Sequence, residues 1–229
     1  MVMGVSYNPR IVTDGLVFCV DAANKRSYPG AGTTWTDLSN QDNNGTLING
    51  PTFDSANGGS IVFDGNDDYV EFVNSQSQSG LTLSAWCKFD SSVLTNSQML
   101  SIADETVPDY SSIMWKNIGN VLYLTARQAD GTANDAIESV SSNDDQWHHV
   151  VGVFNGTTQV LYVDGSLSAT NTATPSLTTT TRGRVGMSSD STPIQNFPGN
   201  IALAQIYNRV LSAQEIKQNY KATKGRFEV

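Results

Sequence analysis

The sequence predicts an all-β fold, a two-sheet antiparallel β-sandwich of the jelly-roll type with one short C-terminal helix. Three observations lead to this prediction. Short apolar segments alternate with polar residues at a period of two, which suits a pleated strand and does not suit a helix. Turn pairs such as Asn-Gly, Asp-Gly and Pro-Gly recur roughly every ten residues, as in sandwiches and jelly rolls. The length of 229 residues fits one large all-β domain.

The chain opens with the segment MVMGVSYNPR, which we interpret as the start of a leader. We expect the leader to occupy residues 1–14, the jelly-roll domain residues 15–222 and a tail residues 223–229. The opening lacks the basic region and apolar run of a signal peptide, and no stretch is long enough to span a bilayer. We therefore expect no signal peptide, no transmembrane segment and no membrane insertion.

The first half of the domain combines predicted strands with one long turn-rich segment. Residues 16–20 form the first strand, and we expect Trp35 and Leu38 to anchor residues 21–50 on the sandwich. Residues 60–72 predict two strands joined by an Asp/Gly/Asn turn. Further strands with alternating faces are predicted over residues 81–89, 99–103, 113–116, 121–127 and 136–140.

Residues 146–167, QWHHVVGVFNGTTQVLYVDGSL, predict a β-hairpin followed by a second turn. The Asn-Gly pair at 155–156 tolerates the positive φ of a tight reversal. Alternation resumes over residues 159–163 and ends at the Asp-Gly pair at 164–165. Apolar residues fall on both faces, so we expect a central hairpin with neighbours above and below it.

The C-terminal part of the domain ends in the predicted helix. Residues 169–182 predict either an edge strand with a loop or a hairpin tip, and residues 184–187 and 201–207 predict the last strands. Ser212 and Glu215 form a capping box that starts a short helix reaching about residue 222. Four basic residues near its end suit the negative helix terminus, and we expect them to form a solvated tail: Lys217, Lys221, Lys224 and Arg226.

Charge and cysteine content exclude some functions. The chain carries 22 acidic and 13 basic residues, a net charge of −9, which repels phosphate backbones. We therefore expect no nucleic-acid partner. Cys19 and Cys87 both lie in apolar strand patterns, which favours two buried thiols over a disulfide.

Several segments, in their order along the chain, carry a family resemblance. They are SIVFDGNDDYVEF at 60–72, LTLSAWCKF at 81–89, the hairpin at 146–167 and FPGNIALAQIYNRVLSAQEI at 197–216. Residues 33–53, TTWTDLSNQDNNGTLINGPTF, resemble the opening segment of the same family. The chain thus resembles the LamG-like (Laminin G type 3-like) jelly roll of the concanavalin A-like lectin/glucanase superfamily over roughly residues 15–220. The resemblance implies the fold, whereas function depends on the site that each member carries.

Members of this superfamily include carbohydrate-binding modules, adhesion domains and glycoside hydrolases. Hydrolases on this fold present alternating acids along one strand, Glu-x-Asp-x-(x)-Glu, and retaining hydrolysis needs two carboxyl groups about 5 Å apart. This chain has no such run, since Glu71 is alone on its strand and Glu138 has only Asp135 nearby. His148 and His149 are adjacent and point to opposite faces of a strand, so we interpret one as packed and the other as partly exposed. We therefore predict a protein without catalytic activity.

An acidic turn between two predicted strands is the candidate metal site. Asp64, Asp67 and Asp68, with Asn66 and the backbone of Gly65, place several hard oxygens together, and Ca²⁺ takes roughly six to eight oxygen ligands. An ordinary acidic hairpin turn would explain the same residues. LamG-like jelly rolls commonly bind a structural calcium, so the resemblance makes the two interpretations comparable. Candidates for completing the shell come from the first long segment: Asp21, Asp37, Asp42 and Asn43.

Aromatic side chains are the candidate sugar-binding residues, because an aromatic face can stack on a sugar ring. Trp35 and Phe197 are alternatives, although any one of these aromatics could equally belong to the core. The candidates that we select are Tyr110, Trp115 and Tyr123.

The sequence thus predicts a recognition or adhesion module that binds carbohydrate on a cell surface. Residues 13–30, TDGLVFCVDAANKRSYPG, also resemble the module found in tailed-phage structural proteins, which implies a virion as one setting. The alternative is a virion or assembly protein that packs against other protein subunits and has no sugar affinity.

Overall fold

A computed structural model describes residues 9–76, 80–90, 92, 96–103, 111–116, 121–127, 133–137, 144–172, 180–189 and 195–227. In the first half of the chain the strands are β1 (Leu16–Asp21), β2 (Thr34–Trp35), β3 (Gly45–Ile48), β4 (Thr52–Asp54), β5 (Ser60–Asp64), β6 (Tyr69–Gln76), β7 (Leu81–Phe89) and β8 (Ser97–Ala103). In the second half they are β9 (Ser111–Lys116), β10 (Leu122–Arg127), β11 (Ala133–Ile137), β12 (His148–Phe154), β13 (Gln159–Val163), β14 (Ser166–Asn171), β15 (Thr180–Val185) and β16 (Pro198–Tyr207). The helix α1 spans Ala213–Thr223, and short 3₁₀ turns span Ala56–Gly58 and Lys224–Arg226.

The strands form two eight-stranded antiparallel sheets that pack face to face. Sheet 1 has the order β14-β13-β12-β7-β16-β5-β4, and β1 also pairs with β16. Sheet 2 has the order β11-β10-β9-β8-β15-β6-β3-β2. The predicted sandwich is confirmed, and most strands lie within a few residues of their predicted bounds. Residues 169–182 were predicted as an edge strand with a loop or as a hairpin tip; residues 169–171 belong to β14 at the end of sheet 1, residues 180–182 begin β15, and residues 173–179 lie outside the described residues.

The hairpin predicted over residues 146–167 is confirmed as β12 and β13, but it lies toward one edge of sheet 1. The centre of the sheet is the pair β7 and β16, because β12 pairs with β7 and β14 continues beyond β13. The predicted turn at 155–156 has Gly156 at φ 85°, and Asp164 and Gly165 have φ values of 51° and 73°. Both turns therefore use the positive φ that their sequences predict.

The inner core lies between the two sheets. Alternate residues of β7, from Leu81 to Phe89, contribute one face to it, as predicted. Phe18 and Phe72 stack across the sandwich with their ring centroids 3.8 Å apart. The sheets approach closely at Gly152, where an added Cβ would lie 2.2 Å from the Leu124 side chain. Glycine at this position therefore permits the packing distance.

A second, outer core lies on the other face of sheet 1, under α1. It contains Trp86, Trp147 and Ile216, together with Val12 and Phe227 from the two ends of the described chain. The predicted capping box of α1 is confirmed, since Glu215 N donates to Ser212 Oγ and Ser212 N donates to Glu215 Oε2. The prediction of a solvated tail is wrong for Arg226, which is partly buried. Arg226 pairs with Asp21 at 2.7 Å, and Phe227 is buried.

The first long segment is anchored as predicted. Trp35 is fully buried in the inner core, and Leu38 packs against the outer core. Cys19 and Cys87 are buried free thiols, as predicted. Among the described residues no helix has the length and hydropathy of a membrane span.

Candidate functional site

Part of the outer face of sheet 1 is covered by α1 and the residues that follow it. Trp86 on β7 is fully buried and stacks on Tyr220 and Phe227, with centroid distances of 5.8 and 4.1 Å. Its Nε1–H donates to Thr223 Oγ1 at 2.7 Å. Trp147 also contacts Phe227, at 4.8 Å between centroids. Under the helix this face is therefore an internal packing surface.

The outer face of sheet 2 carries a row of polar residues across four strands. Register places Thr46 on β3 beside Glu71 on β6, Glu71 beside Arg184 on β15, and Arg184 beside Ser101 on β8. On β6, Glu71 lies between Val70 and Phe72 of the inner core. Because side chains alternate along a strand, this polar row belongs to the opposite face, away from the core.

Arg184 is the most strongly held member of the row. Its Nε and NH2 both contact Glu71 Oε2, at 2.9 and 2.8 Å, and its NH1 donates to the Ser188 carbonyl at 2.7 Å. The guanidinium also lies 5.0 Å from the ring centroid of Tyr69, which neighbours Glu71 on the same face of β6. Arg184 is 7% exposed and Glu71 37% exposed, so the arginine lies beneath and the carboxylate reaches the surface.

The segment that follows β15, residues 186–189, is hydrogen-bonded to the same outer face of sheet 2. Arg182 donates from Nε and NH2 to the Ser189 carbonyl, at 3.2 and 2.7 Å. Ser101 donates from Oγ to the Met187 carbonyl at 2.8 Å, and its hydroxyl is 2.7 Å from that of Ser189. These bonds fix the backbone beside the polar row, which makes the surface there pre-organised.

A groove of about 300 Å³ runs along this face, between β3, β6 and β15. It is at the small end of the range for ligand-binding pockets. Its lining mixes amide, hydroxyl, carboxylate and guanidinium groups with apolar side chains. The lining residues are Asn44, Thr46, Ile48, Glu71, Phe72, Val73, Thr181 and Arg182.

The predicted sugar-binding aromatics are partly brought together. Trp115 on β9 and Tyr123 on β10 are register partners, and Tyr123 is partly exposed. Along β10, Tyr123 alternates with the core residues Leu122 and Leu124, which places it on the outer face of sheet 2. Tyr110 lies outside the described residues. The alternatives Trp35 and Phe197 are fully buried in the inner core.

The acidic turn between β5 and β6 brings three predicted metal ligands together. The carboxylates of Asp64, Asp67 and Asp68 each offer an oxygen within 4.8 Å of the others. Asp64 Oδ1 accepts the backbone N–H of Asn66 at 2.8 Å, and Asp68 Oδ2 accepts that of Asp64 at 3.1 Å. Burial raises the pKa of Asp68, against that second hydrogen bond, and the charges of Asp64 and Asp67 raise it further. A bound cation would relieve this repulsion.

The other predicted ligands, Asp21, Asp37 and Asn43, have partners elsewhere. Asp21 pairs with Arg226, which also donates to the Gly59 carbonyl at the start of β5, whereas Asp64 is the last residue of that strand. Asp37 accepts hydrogen bonds from the backbone of Cys19 at 2.8 Å and of Asn43 at 3.1 Å. These side chains organise the long first segment, and the structure does not bring them to the acidic turn.

The adjacent histidines occupy opposite faces, as predicted. His148 contacts Asp164 through Nδ1 at 2.8 Å and Asp144 through Nε2 at 3.0 Å. Burial alone would lower the pKa of His148, but these hydrogen bonds raise it to about 9. His149 is buried beneath Trp86 and its Nε2 lies 3.0 Å from Ser84 Oγ. Burial lowers the pKa of His149 to about 4, so at neutral pH His148 is an imidazolium and His149 is neutral.

Sequence reasoning missed Arg182 and Arg184. A signal was present, because arginine at both positions of T-R-G-R puts two cations on one face of a strand. The partner of Arg184 is Glu71, which lies 113 residues earlier in the chain. Only the register of β6 and β15 brings them together.

Comparison with solved structures gives a consistent architecture. The binding domain of botulinum neurotoxin DC in complex with SialylT matches with a TM-score of 0.72 and 12% identity, over 93% of this chain and 52% of that chain. The ligand-binding domain of botulinum neurotoxin serotype D in complex with N-acetylneuraminic acid matches with a TM-score of 0.70 and 11% identity, over 92% and 51%. The binding domain of Paraclostridial Mosquitocidal Protein 1 matches with a TM-score of 0.69 and 13% identity, over 91% and 52%. The chain spans about half the length of these structures, and at such identities the likeness shows the fold.

Sequence comparison identifies the family. No curated protein matches the chain. A family model described as the concanavalin A-like lectin/glucanases superfamily, Laminin G 3, matches residues 64–217. This range runs from the end of β5 into α1 and includes the polar row on β6 and β15. The resemblance predicted from the sequence is therefore confirmed, and the chain belongs to the Laminin G 3 family of the concanavalin A-like lectin/glucanase superfamily.

Proposed function

We propose that the chain is a non-catalytic recognition module that binds carbohydrate at a cell surface, through the groove on the outer face of sheet 2. One observation carries this proposal. The outer face of sheet 1 is packed where α1 and Phe227 cover it, and the outer face of sheet 2 presents a groove of about 300 Å³ along its polar row. The mixture of planar polar and apolar side chains in the groove suits a sugar, which offers both hydroxyl groups and C–H faces.

The comparisons support this proposal without identifying a ligand. The family includes lectins by its description, and two of the matching binding domains were solved with SialylT or N-acetylneuraminic acid. Those ligands were bound by other proteins, and this chain covers about half of the length of each. The virion setting implied by residues 13–30 remains a prediction.

The absence of catalysis is part of the proposal. Glycoside hydrolysis requires two carboxyl groups, about 5 Å apart in retaining enzymes and about 6.5–9.5 Å apart in inverting ones. Glu71 is the one carboxylic acid among the described residues that line the groove, and Arg184 holds its Oε2. A second carboxyl group facing Glu71 would be needed for hydrolysis.

The test is binding of the chain of residues 1–229 to a glycan array, with a variant that fills the groove. Thr46 is exposed and lines the groove, so Thr46→Trp should abolish binding without entering the core. Thr52→Trp is the matched control, because Thr52 is an exposed strand residue of sheet 1. Absence of any bound glycan, or equal binding by Thr46→Trp and the unmodified chain, would overturn the proposal.

A further inference from the structure

Glu71 is the groove residue whose second oxygen remains available. Both contacts from Arg184 go to Oε2, and Oε1 has no hydrogen-bond partner among the described residues. The side chain lines the groove and is partly exposed. Its two oxygens are thus divided, one facing the arginine and the other open to a ligand.

The orientation of the Glu71 carboxylate is fixed by Arg184, which lies beneath it. Arg184 is nearly buried and uses Nε, NH2 and NH1 on Glu71 and the Ser188 carbonyl, while its plane lies over the Tyr69 ring. A guanidinium held on several sides positions its partner carboxylate with little freedom. Arg184 is therefore a positioning residue, whereas Glu71 is the residue that meets the ligand.

A carboxylate oxygen accepts hydrogen bonds and does not donate them. It therefore favours a ligand with hydroxyl donors and opposes a ligand that brings its own carboxylate into the same groove. Arg182 also lines the groove and keeps its positive charge, but its Nε and NH2 donate to the Ser189 carbonyl and are not open to a ligand. The net charge of −9 further disfavours anionic ligands.

We propose that Glu71 selects the ligand class, so that the groove binds uncharged sugars through hydroxyl groups that donate to Oε1, in preference to sialylated glycans. This inference rests on the proposed carbohydrate function and adds the chemical class of the sugar. It differs from what the printed ligands of the matching binding domains would suggest.

The experiment compares the unmodified chain of residues 1–229 with Glu71→Gln on an array that carries both neutral and sialylated glycans. We expect neutral glycans to bind the unmodified chain and to bind Glu71→Gln roughly tenfold to a hundredfold more weakly, the effect of losing a hydrogen bond to a charged group. Asp54→Asn is the matched control, since it removes one negative charge from a strand of sheet 1 and should leave binding unchanged.

Glu71→Gln weakens the pairing of the nearly buried Arg184 and so risks unfolding the chain. A second measurement therefore uses no variant. The unmodified chain is titrated with the best-bound neutral sugar and with its monodeoxy analogues. Removing one particular hydroxyl group of the sugar should lower the affinity roughly as much as Glu71→Gln does. Removing any of the other hydroxyl groups should change the affinity little.

The outcomes separate the two proposals. Binding of sialylated glycans alone, or neutral binding that neither Glu71→Gln nor any deoxy analogue weakens, would overturn the selection by Glu71 and leave the carbohydrate function intact. Binding to no glycan would overturn the carbohydrate function itself.

Discussion

Replacing Phe227 tests whether α1 and the residues that follow it are packed on the outer face of sheet 1. Phe227 is 4% exposed and lies 4.1 and 4.8 Å from the rings of Trp86 and Trp147, between centroids. Truncating a buried phenylalanine to alanine costs about 3–5 kcal/mol. We therefore expect Phe227→Ala to cost at least about 3 kcal/mol.

The assay is urea unfolding followed by tryptophan fluorescence, together with thermal unfolding. For a domain of this size, about 3 kcal/mol corresponds to a fall in Tm of roughly 6–12 °C. Leu167→Ala is the control, because Leu167 is 62% exposed on β14 and a surface substitution should stay within about 0.5 kcal/mol. A loss below about 1 kcal/mol for Phe227→Ala would refute the reasoning, because the C-terminal segment would then not be docked on Trp86.

Two further predictions concern protons and metal. The free energy of unfolding should be highest near pH 6.5, about the ordinary pKa of histidine. It should fall as pH rises through about 9, where folded His148 loses its proton, and as pH drops toward about 4, because unfolded His149 takes up a proton that the folded state excludes. Urea unfolding between pH 4 and pH 10 measures this, and in His148→Gln the alkaline fall should be absent below pH 9. Millimolar calcium should raise the Tm above its value in EDTA if the acidic turn binds the ion, since a ligand of the folded state stabilises it. Asp64→Ala should remove that shift and Asp14→Asn should not, and a shift that survives Asp64→Ala would place the ion elsewhere.

The fold could be predicted because its signals are local. Alternation along residues 81–89 separated the inner-core face of β7 from the face that carries Trp86, and the structure keeps that division. The capping box at Ser212 and the turn at 155–156 depend on residues three or fewer positions apart. Register across distant strands carries no such local signal, which is why the hairpin was predicted at the centre of the sheet and lies near its edge.

The candidate site was less accessible to sequence reasoning for the same reason. The pairing of Glu71 with Arg184 depends on β15 lying beside β6, and a carboxylate alone on its strand gave no sign of it. The prediction of a solvated tail failed at Arg226 because its partner Asp21 lies 205 residues earlier in the chain and carries no local signal. The acidic turn was predictable as a cluster, since its three carboxylates lie within five positions of one another.

The position of the apolar surface decides between recognition of a sugar and assembly with protein subunits. An assembly surface would present a contiguous apolar patch of several hundred Å². Among the described residues the exposed large apolar side chains are Val73, Leu167 and Val210, and they belong to β6, to β14 and to the segment after β16. Val73 lines the groove with Glu71, and an apolar side chain next to a carboxylate held by Arg184 suits the C–H face of a sugar. The distribution of these residues therefore favours a small polar ligand on sheet 2 over a protein subunit.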